Sequence, residues 1–488
     1  MFLFLQMSSS TQENYGGASA TAATEEILSV QEIDVSCRFP VLLLFISAAV
    51  WFSISAILGL LVSIKLHSPG FLAAFPWLTY GRIRPVQLDA LVYGFAVPVA
   101  FGVMLWLFCR LGRTKLSAPG VLLLAAKIWN IGVLVGCAGI LAGDTTGFEW
   151  LEFPRYASLI LFVAYVLFGI WAVLTFHARR QQQLFPSQWY LLAALFWFAW
   201  IYSAANLLLV FAPVRGVVQI CVSAWYASNL LNVWLSAVGL GTAFYFIPKL
   251  TNRPLHSYYL ALFAFWGIAL FGGWGLIPVN APLPSWIPTL SAVMAIMMIL
   301  PILGVVLNLR GTIAGHRSAV PNPILSLVLF GSFSFVLAQG MNVFAAIRPI
   351  NELLAFTYFS TAQTHWMLLG FFACVMFGAI YYIVPIILDV EPFAAKKIRF
   401  QAMVLFGGVI LYGVAMVVGG IAQGINLSKP EVAFPDIVKG TLPFLHISTL
   451  GSLFLVVAGL LLVFNLLSFA GRAGYACWKN SKQSEARS

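Results

Sequence analysis

Few residues in this 488-residue sequence could ligate a metal or move a proton inside an apolar chain. Of its six histidines, His67, His177, His256 and His316 fall in loops or near the ends of apolar stretches. His365 lies inside an apolar stretch, about seven residues from its start, and His446 begins the last one. A histidine within such a stretch is either functional or bonded to a polar partner. The six cysteines (Cys37, Cys109, Cys137, Cys221, Cys374, Cys477) are scattered singly, with no CxxC pair, so neither a zinc site nor a redox dithiol is indicated. Lys127 sits among apolar residues beside Trp129 and Asn130, where an ammonium group finds a partner, joins a proton path or snorkels to the surface. Arg82 and Arg84 offer guanidinium forks suited to carboxylates, or anchor the chain at an interface beside Trp77 and Tyr80. No acid is expected deep within an apolar stretch. A proton relay would then depend on hydroxyls, Tyr245 and Tyr381 among them, and on water.

The elements that must position these side chains follow from composition. Hydrophobic residues make up 61% of the chain and charged residues 8%, against about 25% charged in a soluble domain. So little charge cannot cover a soluble surface, which excludes a soluble enzyme, a disordered protein and a disulfide scaffold. An all-α polytopic membrane bundle remains. A membrane helix needs about 20 apolar residues, and about twelve such spans are expected: 41–64, 88–109, 119–143, 156–176, 187–212, 217–248, 258–278, 285–308, 323–347, 358–388, 400–424 and 442–468. Residues 1–36 read as a disordered polar tail, with Met1 or Met7 as the start, 37–470 as the membrane domain and 471–488 as a basic cytoplasmic tail. The net charge of +11 is read as topology rather than as nucleic-acid binding. With both termini on one side, 17 lysines and arginines fall on that side and 8 on the other. Both termini are therefore expected in the cytoplasm, with the chain in the inner (plasma) membrane.

Several segments carry a resemblance. WLTYGRIRPVQLDALVYGF (77–95) resembles the entry to the second span of subunit I of cbb3-type cytochrome c oxidases, members of the heme-copper oxidases. TTGFEWLEFP (145–154), SAWYASNLLNVW (223–234), GLGTAFYFIPKLTNRPLHSYYLALFAFW (239–266), LPSWIPTLSAVMAIMMILP (283–301) and QTHWMLLGFFACVMFGAIYYIVP (363–385) are similar to later segments of the same subunit, in order. The resemblance implies a twelve-helix core. It implies a low-spin heme held by histidines on spans two and ten, and a high-spin heme held by another histidine on span ten. It also implies a copper held by three histidines on spans six and seven, and a tyrosine on span seven joined to one of them.

The chain departs from that pattern at nearly every ligand. The family's RPLH stands as Arg84-Pro85-Val86-Gln87, so the first low-spin ligand becomes Gln87. A copper ligand becomes Ser228, and the paired copper histidines should fall near 276–279, where the chain reads Leu-Ile-Pro-Val. No histidine lies between His256 and His316, and no tyrosine between Tyr259 and Tyr358. The high-spin ligand becomes Gln363, and His365 stands at the place of the second low-spin ligand. Copper favours imidazole nitrogen, which a hydroxyl and aliphatic side chains do not replace.

The expected function is an integral membrane subunit resembling subunit I of the respiratory chain, without an oxygen-reducing binuclear centre. It is non-catalytic or holds one b-type heme, with His365 as axial ligand and Arg82 and Arg84 near the propionates. No catalytic residue and no further metal ligand is assigned, and copper is not expected. His365 as a neutral histidine bonded to a neighbouring helix, and His446 as a second ligand or an interfacial histidine, stay open. Expected partners are other membrane subunits of a respiratory complex, including cytochrome c-type subunits, and the lipid bilayer, with no nucleic acid. Two alternatives remain: a working heme-copper terminal oxidase, and a transporter or channel reusing the bundle.

Overall fold

A backbone in hydrocarbon must satisfy each N–H and C=O within itself, so long apolar runs become helices. The computed structural model describes residues 29–278, 281–315 and 322–485. Eleven helices among them are long and apolar enough to cross a membrane, and no strand occurs among the described residues. In chain order they are α1 (Val30–His67), α2 (Tyr80–Gly112), α3 (Pro119–Ala142), α4 (Arg155–His177), α5 (Pro186–Phe211) and α6 (Val217–Thr251). A shorter apolar helix, α7 (Tyr258–Trp274), precedes α8 (Trp286–Ile313), α9 (Pro323–Ala345), α10 (Tyr358–Leu388), α11 (Ala395–Leu427) and α12 (Phe434–Glu485).

The twelfth expected span is this short one. Its α-helical part ends at Phe271 after 14 residues, about 21 Å at 1.5 Å per residue, against a hydrocarbon core of about 30 Å. Gly272 and Gly273 turn it into a tight last turn, and Pro278 follows, so 275–278, expected in the span, lie beyond the helix.

Both ends of the bundle differ from expectation. The α1 helix starts at Val30, so residues 30–36 form its first turns rather than tail. The Ser29 hydroxyl caps it by accepting from the Glu32 N–H at 3.2 Å. Asp34 is buried, accepting from the Trp106 indole at 3.0 Å and paired with Arg110. Residues 1–28 of the expected tail lie outside the described residues, as does His316. At the other end the α12 backbone stays helical to Glu485, through most of the segment expected as a tail.

Three helices form the centre. In their most apolar stretch α2 is 100% buried, α6 94% and α10 83%, against 39–56% for the other long helices. Each widens into π-helical turns near its middle: Ala90–Ala96, Asn229–Trp234 and Trp366–Ala373. Such turns are frequent at functional sites, because they re-aim side chains within a packed helix. Close packing holds the centre shut: a Cβ on Gly94 of α2 would fall 2.6 Å from the Trp51 ring of α1.

Candidate functional site

The residues singled out on spans two and ten do converge. His365 ends the α-helical turn just before the π-helical part of α10. Its ring stacks on Tyr412 of α11, centroids 4.1 Å apart and planes at 16°. It donates to the Val409 carbonyl, while its Nε2 is buried with no partner. One nitrogen held by a carbonyl and the other left free is the arrangement in which neutral imidazole ligates a metal. His365 and Gln87 line one cavity of about 70 Å³, together with Arg84, Ser55, Gly59 and Tyr412.

Gln87 is held in place on the far wall. Its Oε1 accepts from Arg84 Nη1 at 2.7 Å, and its backbone carbonyl accepts from the Ser55 hydroxyl at 2.7 Å. The free His365 nitrogen would suit a heme iron, whereas the carboxamide of Gln87 would offer it no second imidazole. The cavity is several-fold smaller than the roughly 300–1,000 Å³ of small-molecule sites. Arg84, Thr361 and Thr364 also line a second cavity of about 530 Å³, and a heme held by His365 would need that adjoining space as well.

Gln363, expected at the place of the high-spin ligand, lines the second cavity, with Ser223, Gln219, Asn232 and Met367 on its walls. Ser228, expected in place of a copper ligand, is engaged elsewhere. Its hydroxyl donates to the Gly272 carbonyl at 2.8 Å and accepts from the Gly275 N–H at 3.1 Å and from Asn232 at 3.3 Å. Asn229 beside it accepts from the Trp197 indole at 3.0 Å and donates to the Gly273 carbonyl at 3.1 Å. These contacts tie α6 to the end of α7, just before the stretch near 276–279 where the resemblance implies paired histidines. Hydroxyl, carboxamide and the aliphatic Leu276, Ile277 and Pro278 do not fit copper. Among the described residues no three His, Cys, Asp or Glu side chains come together as a metal site.

The other sequence candidates separate from this site. Arg84 lines both cavities. Arg82 lines neither: its Nη1 donates to the Leu141 carbonyl at 2.9 Å, in the last turn of α3, where free carbonyls attract a cation. His446 bonds the Leu442 carbonyl of its own helix through Nδ1 at 2.8 Å, and its ring lies 4.3 Å from that of His67. Lys127 is exposed on the outer surface of α3, as a snorkelling side chain would be. Tyr381 accepts from Asn465 at 2.8 Å, and Tyr245 packs against Trp106.

One pair escaped the sequence reading, which placed no acid deep in a span. Because α2 begins at Tyr80 rather than near 88, Asp89 lies a full ten residues into it, completely buried. Glu152, in the loop between α3 and α4, is buried beside it, and the two carboxyl groups hydrogen-bond each other. Burial pushes the Glu152 carboxyl up to about 7, against hydrogen bonds from Asp89 and from backbone N–H groups that favour its charged form. In TTGFEWLEFP the apolar neighbours Leu151 and Phe153 are the one hint at Glu152, and a loop acid between them reads equally well as solvated.

Residues 40–454 match the sequence pattern of the family described as Cytochrome C and Quinol oxidase polypeptide I. A cytochrome c oxidase subunit 1 homolog of Azorhizobium caulinodans is 26% identical over 447 residues, covering 87% of this chain and 81% of the relative. A cbb3-type cytochrome c oxidase subunit CcoN1 of Stutzerimonas stutzeri is 26% identical over 394 residues, covering 78% and 82%. In three dimensions the bundle superposes on a chain of a heme-copper terminal oxidase dimer with a TM-score of 0.65. That likeness covers 88% of this chain and 84% of that one at 13% sequence identity, and it speaks to the fold alone.

Proposed function

The chain belongs to the cytochrome c and quinol oxidase polypeptide I family, and we propose that it is a subunit I-like membrane protein that does not reduce oxygen itself. Within a respiratory assembly it serves as a single-heme or heme-free subunit, alongside other membrane subunits that include c-type cytochromes. The observation that carries this reading is the pairing at the centre of the bundle. His365 Nε2 stands free for one iron, while Gln87, Ser228, Gln363 and the aliphatic run at 276–278 stand where the remaining ligands are expected. A b-type heme held by His365 supplies one-electron redox chemistry when bound. The chain's own contribution is to fix the imidazole through the Val409 carbonyl and Tyr412, and to offer the Arg84 guanidinium to a carboxylate at the cavity edge.

Heme extraction and metal analysis test this. The purified full-length protein should contain at most one b-type heme per chain and no stoichiometric copper. Two hemes and one copper per chain would restore the terminal-oxidase reading. A chain wholly free of heme, even when expressed with ample heme, would leave the heme-free subunit of that reading, a scaffold, or else a transporter using the same bundle.

The orientation belongs to the same reading. Counting the short α7 as a twelfth crossing, the bias of lysines and arginines, 17 against 8, supports both termini in the cytoplasm and the bundle in the plasma membrane. Reporter domains fused ahead of residue 29 and after Ser488 should both report cytoplasm. A periplasmic signal from either one overturns the arrangement.

A further inference from the structure

A second polar constellation lies on α2, and the heme reading does not use it. Asp89 is 0% and Glu152 5% exposed. Apart from each other, both Asp89 oxygens and Glu152 Oε2 have no hydrogen-bond partner. The groups that face the pair are Tyr93 on α2, Cys137 on α3, Tyr202 on α5, Tyr226 on α6 and Glu149 in the loop. None of these is a cation. Two acids in a low-dielectric interior with no counter-charge do not both ionise, because neither desolvation nor mutual repulsion is offset. The region holds further buried polar atoms without partners, Ser158 Oγ on α4 and Asn206 Oδ1 on α5. Both residues flank Tyr202, whose hydroxyl reaches the Ser158 carbonyl at 3.5 Å and whose own carbonyl accepts from Asn206 at 2.9 Å.

Two hydroxyls, of Tyr93 and Tyr226, lie near the pair and beside residues that border open space. The Tyr93 and Tyr226 hydroxyls are 2.7 Å apart, and Tyr93 donates to the Trp150 carbonyl at 2.6 Å. Trp150 and Ala227 are walls of the cavity of about 530 Å³. Hydroxyls in contact pass protons by donating one while accepting another, and an ionisable residue inside a membrane protein marks a proton or ion pathway by default.

We propose that Asp89 and Glu152 form a proton-binding site: one proton stays between the two carboxyls, and a second is taken up from and returned to the adjoining cavity through Tyr93 and Tyr226. Uptake converts the pair from a single negative charge to neutrality and moves no electrons. The rise of the Glu152 carboxyl to about 7 places this exchange near neutral pH. An acid whose folded-state affinity for protons is raised stabilises the fold fully below the ordinary carboxylate range. That contribution is lost as pH rises through the folded value. The site does not depend on heme, so a heme-free protein would leave it intact.

Infrared difference spectroscopy on the full-length protein in lipid nanodiscs tests the proposal. The sample is perfused alternately at about pH 6 and about pH 8, on either side of the Glu152 value. The wild type should gain, at the lower pH, the C=O band of one protonated carboxyl, shifted in D2O. Asp89→Asn and Glu152→Gln should each abolish that pH-dependent band. A wild type without the band overturns the proposal and needs no variant. A band that persists in either folded variant also overturns it, because one carboxyl alone then titrates. Should an amide variant fail to fold, thermal unfolding of the wild type decides. Its midpoint should fall as pH is raised across the same interval, and a midpoint that rises there overturns the proposal.

Discussion

Supplied with a reduced c-type cytochrome or a quinol, the purified full-length protein is expected to consume no oxygen above background. Ordinary enzymes turn over at about 1–1,000 s⁻¹, so the expected loss is essentially the whole activity of a terminal oxidase. The reasoning rests on donor chemistry. Ser228 spends its hydroxyl on Gly272 and its lone pairs on Gly275 and Asn232. Gln363 brings a neutral carboxamide to the second cavity. No histidine and no tyrosine stands on α7 beyond Tyr259 to complete a copper site or its tyrosine partner. An oxygen electrode with metal quantification on the same sample checks this. Turnover of even about 1 s⁻¹, scaling with the amount of this chain, would mean that other residues bind the metals.

Much of this bundle could be read from hydropathy, because lipid forces long apolar runs into helices and leaves few alternatives. The starts at Pro119 and Pro323 match the sequence reading, since proline sits well in a first helical turn. What hydropathy missed is instructive. The stretch Tyr80-Gly-Arg-Ile-Arg-Pro-Val-Gln is polar enough to resemble a loop, yet it is helix, because its polar side chains face cavities and carbonyls inside the protein. Moving the start of α2 from about 88 to Tyr80 sinks Asp89 by roughly 12 Å at 1.5 Å per residue. Asp34 went into a tail for a similar reason: an acid before the first apolar run looks solvated until its partner Arg110, 76 residues away, is seen beside it. The short α7 was overestimated because Leu276 and Ile277 extend the apolar run past the point where Gly272 and Gly273 end the helix. At the site itself, the shared cavity of Gln87 and His365 was legible from the resemblance. The burial of Glu152 was not, since it depends on how a loop folds over α2.

Gln87→His should create or strengthen a low-spin b-type spectrum, bringing it toward one heme per chain. The two positions line the same cavity, on α2 and α10. His365 already has its Nε2 free and its ring fixed by Val409 and Tyr412. An iron held by His365 would lack a second strong nitrogen, because the carboxamide of Gln87 is a weak donor and is turned to Arg84. Imidazole and carboxamide side chains are close in volume, so the exchange adds little strain to the packing. Gly59 leaves room beside position 87, where its hypothetical Cβ would make only ordinary contact at 3.7 Å. The released Arg84 stays on the cavity wall, able to meet a carboxylate. Adding His365→Ala to Gln87→His should abolish the spectrum, whereas His446→Ala should leave it intact, because that ring is engaged with Leu442 and His67. Absorption spectra of the three variants, expressed with ample heme, decide the matter. An unchanged spectrum in Gln87→His would mean that the packed walls around the small cavity exclude the cofactor. His365 would then be a structural histidine joining α10 to α11, and a heme-free subunit or a transporter would be the better reading of this bundle.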